Sequence, residues 1–257
     1  MAKRKLKKGV CKICKETTLL NFEHVPPRSA FNKNTKYKTI NFHDYLKSLN
    51  PLDYSIKGKV EQGGIGYYCY CEKCNNFLGT EYVREYKEWA ICGVHILANG
   101  RFDRYDYDII RINPNKILKQ IISMFIAMNE EWFGNEYSDL IEFVKKSESI
   151  DLDNRFHVYM YLNTGAKYRY VNFMVKGSLD GKPIKCMELA FPPYGYVLTI
   201  DEPAVDKRLT EITYFKNFNK EHDLELSIHR LETHLPFPMD YRTKSEIKSA
   251  MNLEKQP

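Results

Sequence analysis

The chain opens with a cysteine-bearing turn, Val10-Cys11-Lys12-Ile13-Cys14, followed by an extended apolar stretch, Leu19-Leu20-Asn21-Phe22, that runs into Glu23-His24. Pro26-Pro27 stiffens the exit, because proline fixes φ, lacks an N–H and drives its predecessor out of the helical region. Residues 28–66 carry no clear period. They read as a long polar connection with a short helix at 43–49 and a turn at Gln62-Gly63-Gly64-Ile65-Gly66. A connection of this length inside a compact module is uncommon and often functional. Tyr67-Tyr68-Cys69-Tyr70 is predicted as a strand. From Asn75 onward Phe77, Leu78, Tyr82, Val83, Tyr86 and Trp89 recur at helical spacing, with Asn75 or Asn76 in the N-cap position.

The pattern changes beyond residue 100. Asn115–Glu131 predicts a helix so apolar around Ile121–Met128 that it belongs in the centre of the molecule. A second helix is predicted over Tyr137–Lys146. Strands are predicted at Phe156–Asn163 and Tyr168–Val175, with Thr164-Gly165-Ala166 as a hairpin turn between them, then at Lys185–Phe191, Tyr194–Ile200 and Leu224–Leu231. The expectation is an α+β protein: a zinc-bound N-terminal module over residues 1–100 and, over residues 101–257, an antiparallel sheet packed on helices. The rigid aromatic segments Phe191–Tyr196 and His234–Arg242 read as tight turns at the ends of buried strands.

Composition narrows the function classes. No apolar run is long enough to span a bilayer, and the basic N-terminus lacks the apolar core of a secretory signal, so a cytoplasmic location without membrane partners is expected. The second half has no phosphate loop, nucleophile elbow or dinucleotide fingerprint; dimerisation, sensing or a regulatory partner are the roles open to it. Charge is uneven. Residues 1–38 hold eleven Lys and Arg against Glu16 and Glu23, a net of +9, so residues 39–257 carry −3 of the total of +6. A basic end points to a polyanion, although a solvated tail accounts equally well for residues 1–9.

Seven cysteines, four of them in Cys-x-x-Cys pairs, favour metal thiolates over disulfides in a chain read as cytoplasmic. Cys11, Cys14, Cys71 and Cys74 are therefore expected to hold a structural zinc, closed to catalysis because all four positions are filled. Cys69 is a spare that strand alternation from Cys71 would also bring near the ion. Cys92 and Cys186 read as buried apolar residues. A zinc clamp brings His24 and Asn75 into one neighbourhood. Phosphodiester hydrolysis needs a base that works near neutral pH, which imidazole provides, and a hard cation held by oxygen donors such as a carboxylate and an amide.

Cys-x-x-Cys, a short strand, Glu23-His24 and a second Cys-x-x-Cys running into Asn75 and a helix resemble the HNH nucleases of the ββα-metal (His-Me finger) family. The layout is similar to the zinc-clamped endonuclease VII type, and Glu23-His24-Val25-Pro26-Pro27 to the bacterial EHxPP proteins. The resemblance covers about residues 8–90. It implies a treble-clef module in which His24 is the general base and Glu23 and Asn75 bind catalytic Mg²⁺ or Mn²⁺. It further implies DNA as substrate, with RNA as the alternative, and a setting in restriction or anti-phage defence. Arg28, Lys33, Lys36 and Lys38 would then contact phosphates. The family's further ligand in the final helix has no His or Asn here one to two turns on; Asn76, Glu81 and Glu85 are the polar residues on offer. A zinc module that binds nucleic acid or protein without cutting would keep the four cysteines and need neither Glu23 nor His24.

Overall fold

The structure, a computed structural model, describes residues 7–253 apart from 41, 49, 51, 53–55, 101, 166 and 178–180. Most of the basic tail and Ala166 of the expected hairpin thus lie outside the described residues. Secondary structure is mixed α and β throughout.

The N-terminal part is a three-stranded antiparallel sheet in the order β1 (Lys7–Val10), β2 (Thr17–His24), β5 (Gly66–Cys71). The long connection is more ordered than its lack of period implies. It holds an irregular turn at Arg28–Asn32, a hairpin of β3 (Lys36–Thr39) and β4 (Lys59–Gln62), and a short helix α1 (Phe42–Leu46). After β5 the chain enters α2 (Glu72–Glu81) and α3 (Val83–Asn99). These interrupt the single expected helix at Tyr82, which leaves helical geometry at φ −123°. There the Tyr82 hydroxyl donates to the Val144 carbonyl at 2.6 Å and the side chain is fully buried, so a tertiary contact sets the break.

The remaining strands form a seven-stranded sheet in the order β6-β12-β7-β10-β9-β8, with β11 (Thr210–Glu211) pairing β7. Their ranges are β6 (Arg104–Ile112), β7 (Phe156–Asn163), β8 (Arg169–Lys176), β9 (Ile184–Phe191), β10 (Tyr194–Ile200) and β12 (His222–Leu231). Two expectations are corrected. The sheet is not wholly antiparallel, because β12 runs parallel to β7 where Arg230 and Leu231 meet Leu162 and Asn163. β7 and β8 are not a hairpin either. Both ladder sides of β7 are taken, by β10 on one and by β11 and β12 on the other, so β8 pairs β9 at the far edge. The hairpin is instead β9–β10, turned by Pro192-Pro193. β6, rich in Arg and Asp, was hidden by its charge; its inward positions are Tyr105, Tyr107 and Ile109.

Alternate residues of β7 serve two cores. Val158, Met160 and Leu162 join the main cluster with the helices, whereas Tyr159 and Tyr161 pack on the opposite face with Val197 and Tyr241. Both faces being covered explains why β7, β9 and β10 are buried almost throughout. The helix α4 (Pro114–Met128) is central as expected. It is capped by the Asn113 side chain, which accepts from the Lys116 N–H at 3.1 Å, and only Lys116 in it escapes full burial. Two short helices follow, α5 (Glu131–Glu136) and α6 (Ser138–Lys145), and α7 (Lys244–Leu253) is the last element described. The main core runs from Cys11 to Ile228 and draws on both sides of residue 100. Among the described residues no helix is long and apolar enough to cross a membrane.

Candidate metal centre and adjoining cleft

The turn before β2 and the junction of β5 with α2 bring the four expected cysteines together. The sulfurs of Cys11, Cys14, Cys71 and Cys74 all lie within 4.8 Å of one another. Thiolates at the corners of a tetrahedron with zinc bonds of ~2.3 Å stand about 3.8 Å apart, and Cys14 Sγ and Cys71 Sγ are separated by 3.8 Å. The donor set and its dimensions therefore fit zinc. Backbone N–H groups point into the cluster, Cys71 N–H donating to Cys11 Sγ at 3.3 Å and Cys74 N–H to Cys71 Sγ at 3.4 Å. Burial pushes the Cys11 thiol up, but the N–H groups of Cys14, Cys71 and Ile13 outweigh it and bring the thiol below its ordinary value. Cys74 is raised, by burial first and then by the Cys11 thiolate. Four close thiolates repel, and a cation between them removes that cost.

Cys71 also caps α2 through the Cys74 N–H bond, so the helix begins at Glu72 and not at Asn75. This corrects the N-cap assignment. A sulfur already occupies the capping role, and Asn75 is left inside the first turn. Cys69 does not join the cluster. Asn21 pairs with Tyr70 and Phe22 with Tyr68, so Cys69 is the extra residue of a β-bulge, fully buried, its carbonyl accepting from Lys12 N–H at 2.9 Å. The bulge breaks the alternation on which its nearness to the ion depended. Cys186 is buried as expected, and Cys92 is half-buried.

Beside the cysteine cluster lies a cleft of about 590 Å³ lined by Glu23 and His24 from the end of β2 and by Asn75 from α2. Arg28 and Lys33 line the same cleft, whereas Lys36 and Lys38 sit on the exposed β3 and are not among its walls. The helix positions that face it after Asn75 are Gly79 and Val83. Asn76, Glu81 and Glu85 are not part of the lining, and Glu81 is paired with Lys116 at 3.3 Å. Lys87 pairs with Glu88 at 3.8 Å on the solvated side of α3.

Two chemical features distinguish this cleft. Burial raises the Glu23 carboxyl from its ordinary value to about 7. The Asn75 side-chain oxygen is buried with no hydrogen-bond partner among the described residues; the Asn115 and Gln120 amide oxygens of α4 share that condition, but of the three Asn75 alone lines the cleft. The His24 ring meets the edge of Phe22 at 5.2 Å, and its Nε2 lies 3.1 Å from the Gly63 carbonyl oxygen.

The backbone around His24 is held by a residue the sequence did not single out. Asn32 is fully buried; its amide donates to the carbonyls of Pro26 and Ile65, each at 2.8 Å, and its oxygen accepts from the Ile65 N–H at 2.9 Å. It thereby ties the segment after His24 to the glycine turn before β5. Gly64 in that turn has φ +93°, and a Cβ there would stand 2.6 Å from the His24 ring. Only glycine meets both conditions. An asparagine inside the polar run Asn32-Lys33-Asn34 gives no local signal of such a role; the Gly63-Gly64 pair was the one visible hint. No family model, no curated protein and no solved structure matches this chain.

Proposed function

We propose that the chain is a zinc-clamped, HNH-type endonuclease that hydrolyses phosphodiester bonds in DNA with Mg²⁺ or Mn²⁺. The observation that carries this reading is the orphaned Asn75 oxygen in the same cleft as Glu23 and His24. A desolvated carboxyl and an unpartnered amide oxygen on the wall of one cleft are donors of the kind that a hard divalent cation takes. Bound there, the cation would take up charge developing on the scissile phosphate and its leaving oxygen.

The carbonyl of Gly63 can only accept a hydrogen bond, so the proton of a neutral His24 ring resides on Nε2 and the lone pair on Nδ1. In this reading Nδ1 takes the proton from the attacking water, and the Gly63 carbonyl keeps the ring oriented and favours the imidazolium that forms. Arg28 and Lys33, on the wall of the cleft, bind flanking phosphates. With Gly79 and Val83 where a further ligand would project, Glu23 and Asn75 are the protein donors, and other coordination positions remain open to water and phosphate.

Purified protein incubated with supercoiled plasmid and Mg²⁺ or Mn²⁺ should nick or linearise it, and His24→Ala should lower the rate at least about a hundredfold. Equal, intact plasmid with both proteins across metals and salt concentrations would overturn the nuclease reading. Cleavage of structured RNA with plasmid left intact would transfer the reading to RNA.

A further inference from the structure

The residue that follows His24 is held from the second half of the chain. Val25 is fully buried; its N–H donates to the Ile65 carbonyl at 2.9 Å, and its own carbonyl accepts the Tyr170 hydroxyl at 2.7 Å. Tyr170 belongs to β8, one of the two edge strands of the seven-stranded sheet. The pairing of β8 with β9 slips between Val171 and Met174, so β8 bulges at residues 172–173, while Tyr170 stays in register with Leu189. In the bulge the Phe173 N–H turns away from β9 and donates to the Asn129 side-chain oxygen at 2.5 Å.

Asn129 is itself well fixed. It closes α4, is 2% exposed, and donates to the Phe125 carbonyl at 2.8 Å. Its backbone carbonyl accepts from the ammonium of Lys12, which also donates to the Ala127 carbonyl at 2.8 Å. Lys12 lies between Cys11 and Cys14. One chain of contacts thus runs from the cysteine cluster through Lys12, Asn129 and the β8 bulge to Tyr170, Val25 and His24. It is separate from the direct route along β2.

We infer that Tyr170 is a positioning residue for the candidate base: its hydroxyl fixes the Val25 carbonyl, and through it the placement of His24 in the cleft. The C-terminal sheet then completes the site rather than standing apart from it. This inference rests on the nuclease reading for its effect on turnover, but its effect on the histidine is independent of that reading. A misplacement of the order of an ångström at a base is enough to slow proton transfer strongly.

The test is Tyr170→Phe beside Tyr168→Phe, a control at an exposed ring that stacks on Phe191. Zinc content and a cooperative melt establish that each variant folds. His24 is followed by long-range ¹H–¹⁵N spectra of its ring, assigned with His24→Ala, and turnover by plasmid cleavage. The expected result for Tyr170→Phe is shifted or broadened His24 resonances, kcat lower by about tenfold and KM within about twofold, with Tyr168→Phe like the wild type. Replacing Tyr170 by p-aminophenylalanine, which keeps a donor at the same place, should restore both readouts; it also carries the comparison if the phenylalanine variant does not fold. Unchanged His24 resonances and unchanged kcat in a folded Tyr170→Phe protein overturn the inference. If the wild type cleaves nothing, the nuclease reading fails and the ring spectra alone decide this one.

Discussion

The Glu23 carboxyl, one of the two oxygen donors proposed for the metal, is costly to bury. Its side chain is pushed by burial to about 7 against an ordinary value of 4.5. Between those two values the folded protein binds more protons than the unfolded chain, so stability falls as pH rises through the window. Below about 4.5 both states hold the proton and the penalty is absent; above 7 it is complete, up to about 3 kcal/mol. Protein kept free of Mg²⁺ and Mn²⁺ should therefore lose stability between about pH 4.5 and 7 in urea titrations, and Glu23→Gln should flatten that profile. The same slope in the variant would show that Glu23 is not its source. Glu23 and His24 were legible in the sequence because they stand together before two prolines. Asn32 was not, because a buried asparagine that joins Pro26 to Ile65 acquires its partners only when residues 26 and 65 are brought side by side.

Among the elements, the cysteine-bearing turn and the start of α2 are where local spacing and three-dimensional structure agree best. Two residues between sulfurs is the reach of one turn, so each pair was bound to present its thiols together. Cys71 carries an added duty that the spacing did not reveal, the N-cap of α2. Loss of any one cysteine leaves three of the four candidate zinc ligands and should lower zinc content, but Cys71→Ala should cost up to about 1 kcal/mol more than Cys14→Ala, since it also removes the N-cap of α2. Denaturation midpoints of the two variants, with zinc content measured in each, check the difference. Strands β3 and β4 were illegible for the opposite reason. Their inward and outward positions are nearly all polar or exposed, and two such strands hold each other by backbone bonds that leave no hydrophobic period.

Across the molecule as a unit, the seven-stranded sheet is covered on its second face by Met239 and Tyr241 from the segment that follows β12 and by Ala204 and Leu209 from the segment before β11. Arg169 and Glu188, 2% and 0% exposed, pair at 3.1 Å within that layer. The Arg169 guanidinium also donates to the Leu235 and Asp240 carbonyls, and the Glu188 carboxylate accepts from the Tyr161 hydroxyl and the Met239 N–H. A buried charge without its partner is expensive, so Arg169→Met should destabilise by about 3–5 kcal/mol in equilibrium unfolding, whereas the double replacement of Arg169 and Glu188 by apolar residues should recover part of it. A single variant as stable as the wild type would show the pair to be dispensable. Local signals along the chain were enough for the cysteine pairs, the apolar helix α4, and the strands β7, β9 and β10. Three-dimensional packing was needed to send β8 to the far edge, to run β12 parallel to β7, and to bring Tyr170 to the peptide beside His24. Those outcomes depend on which edge of each strand is already occupied when the chain returns to it, and no periodicity along a single strand records its neighbours.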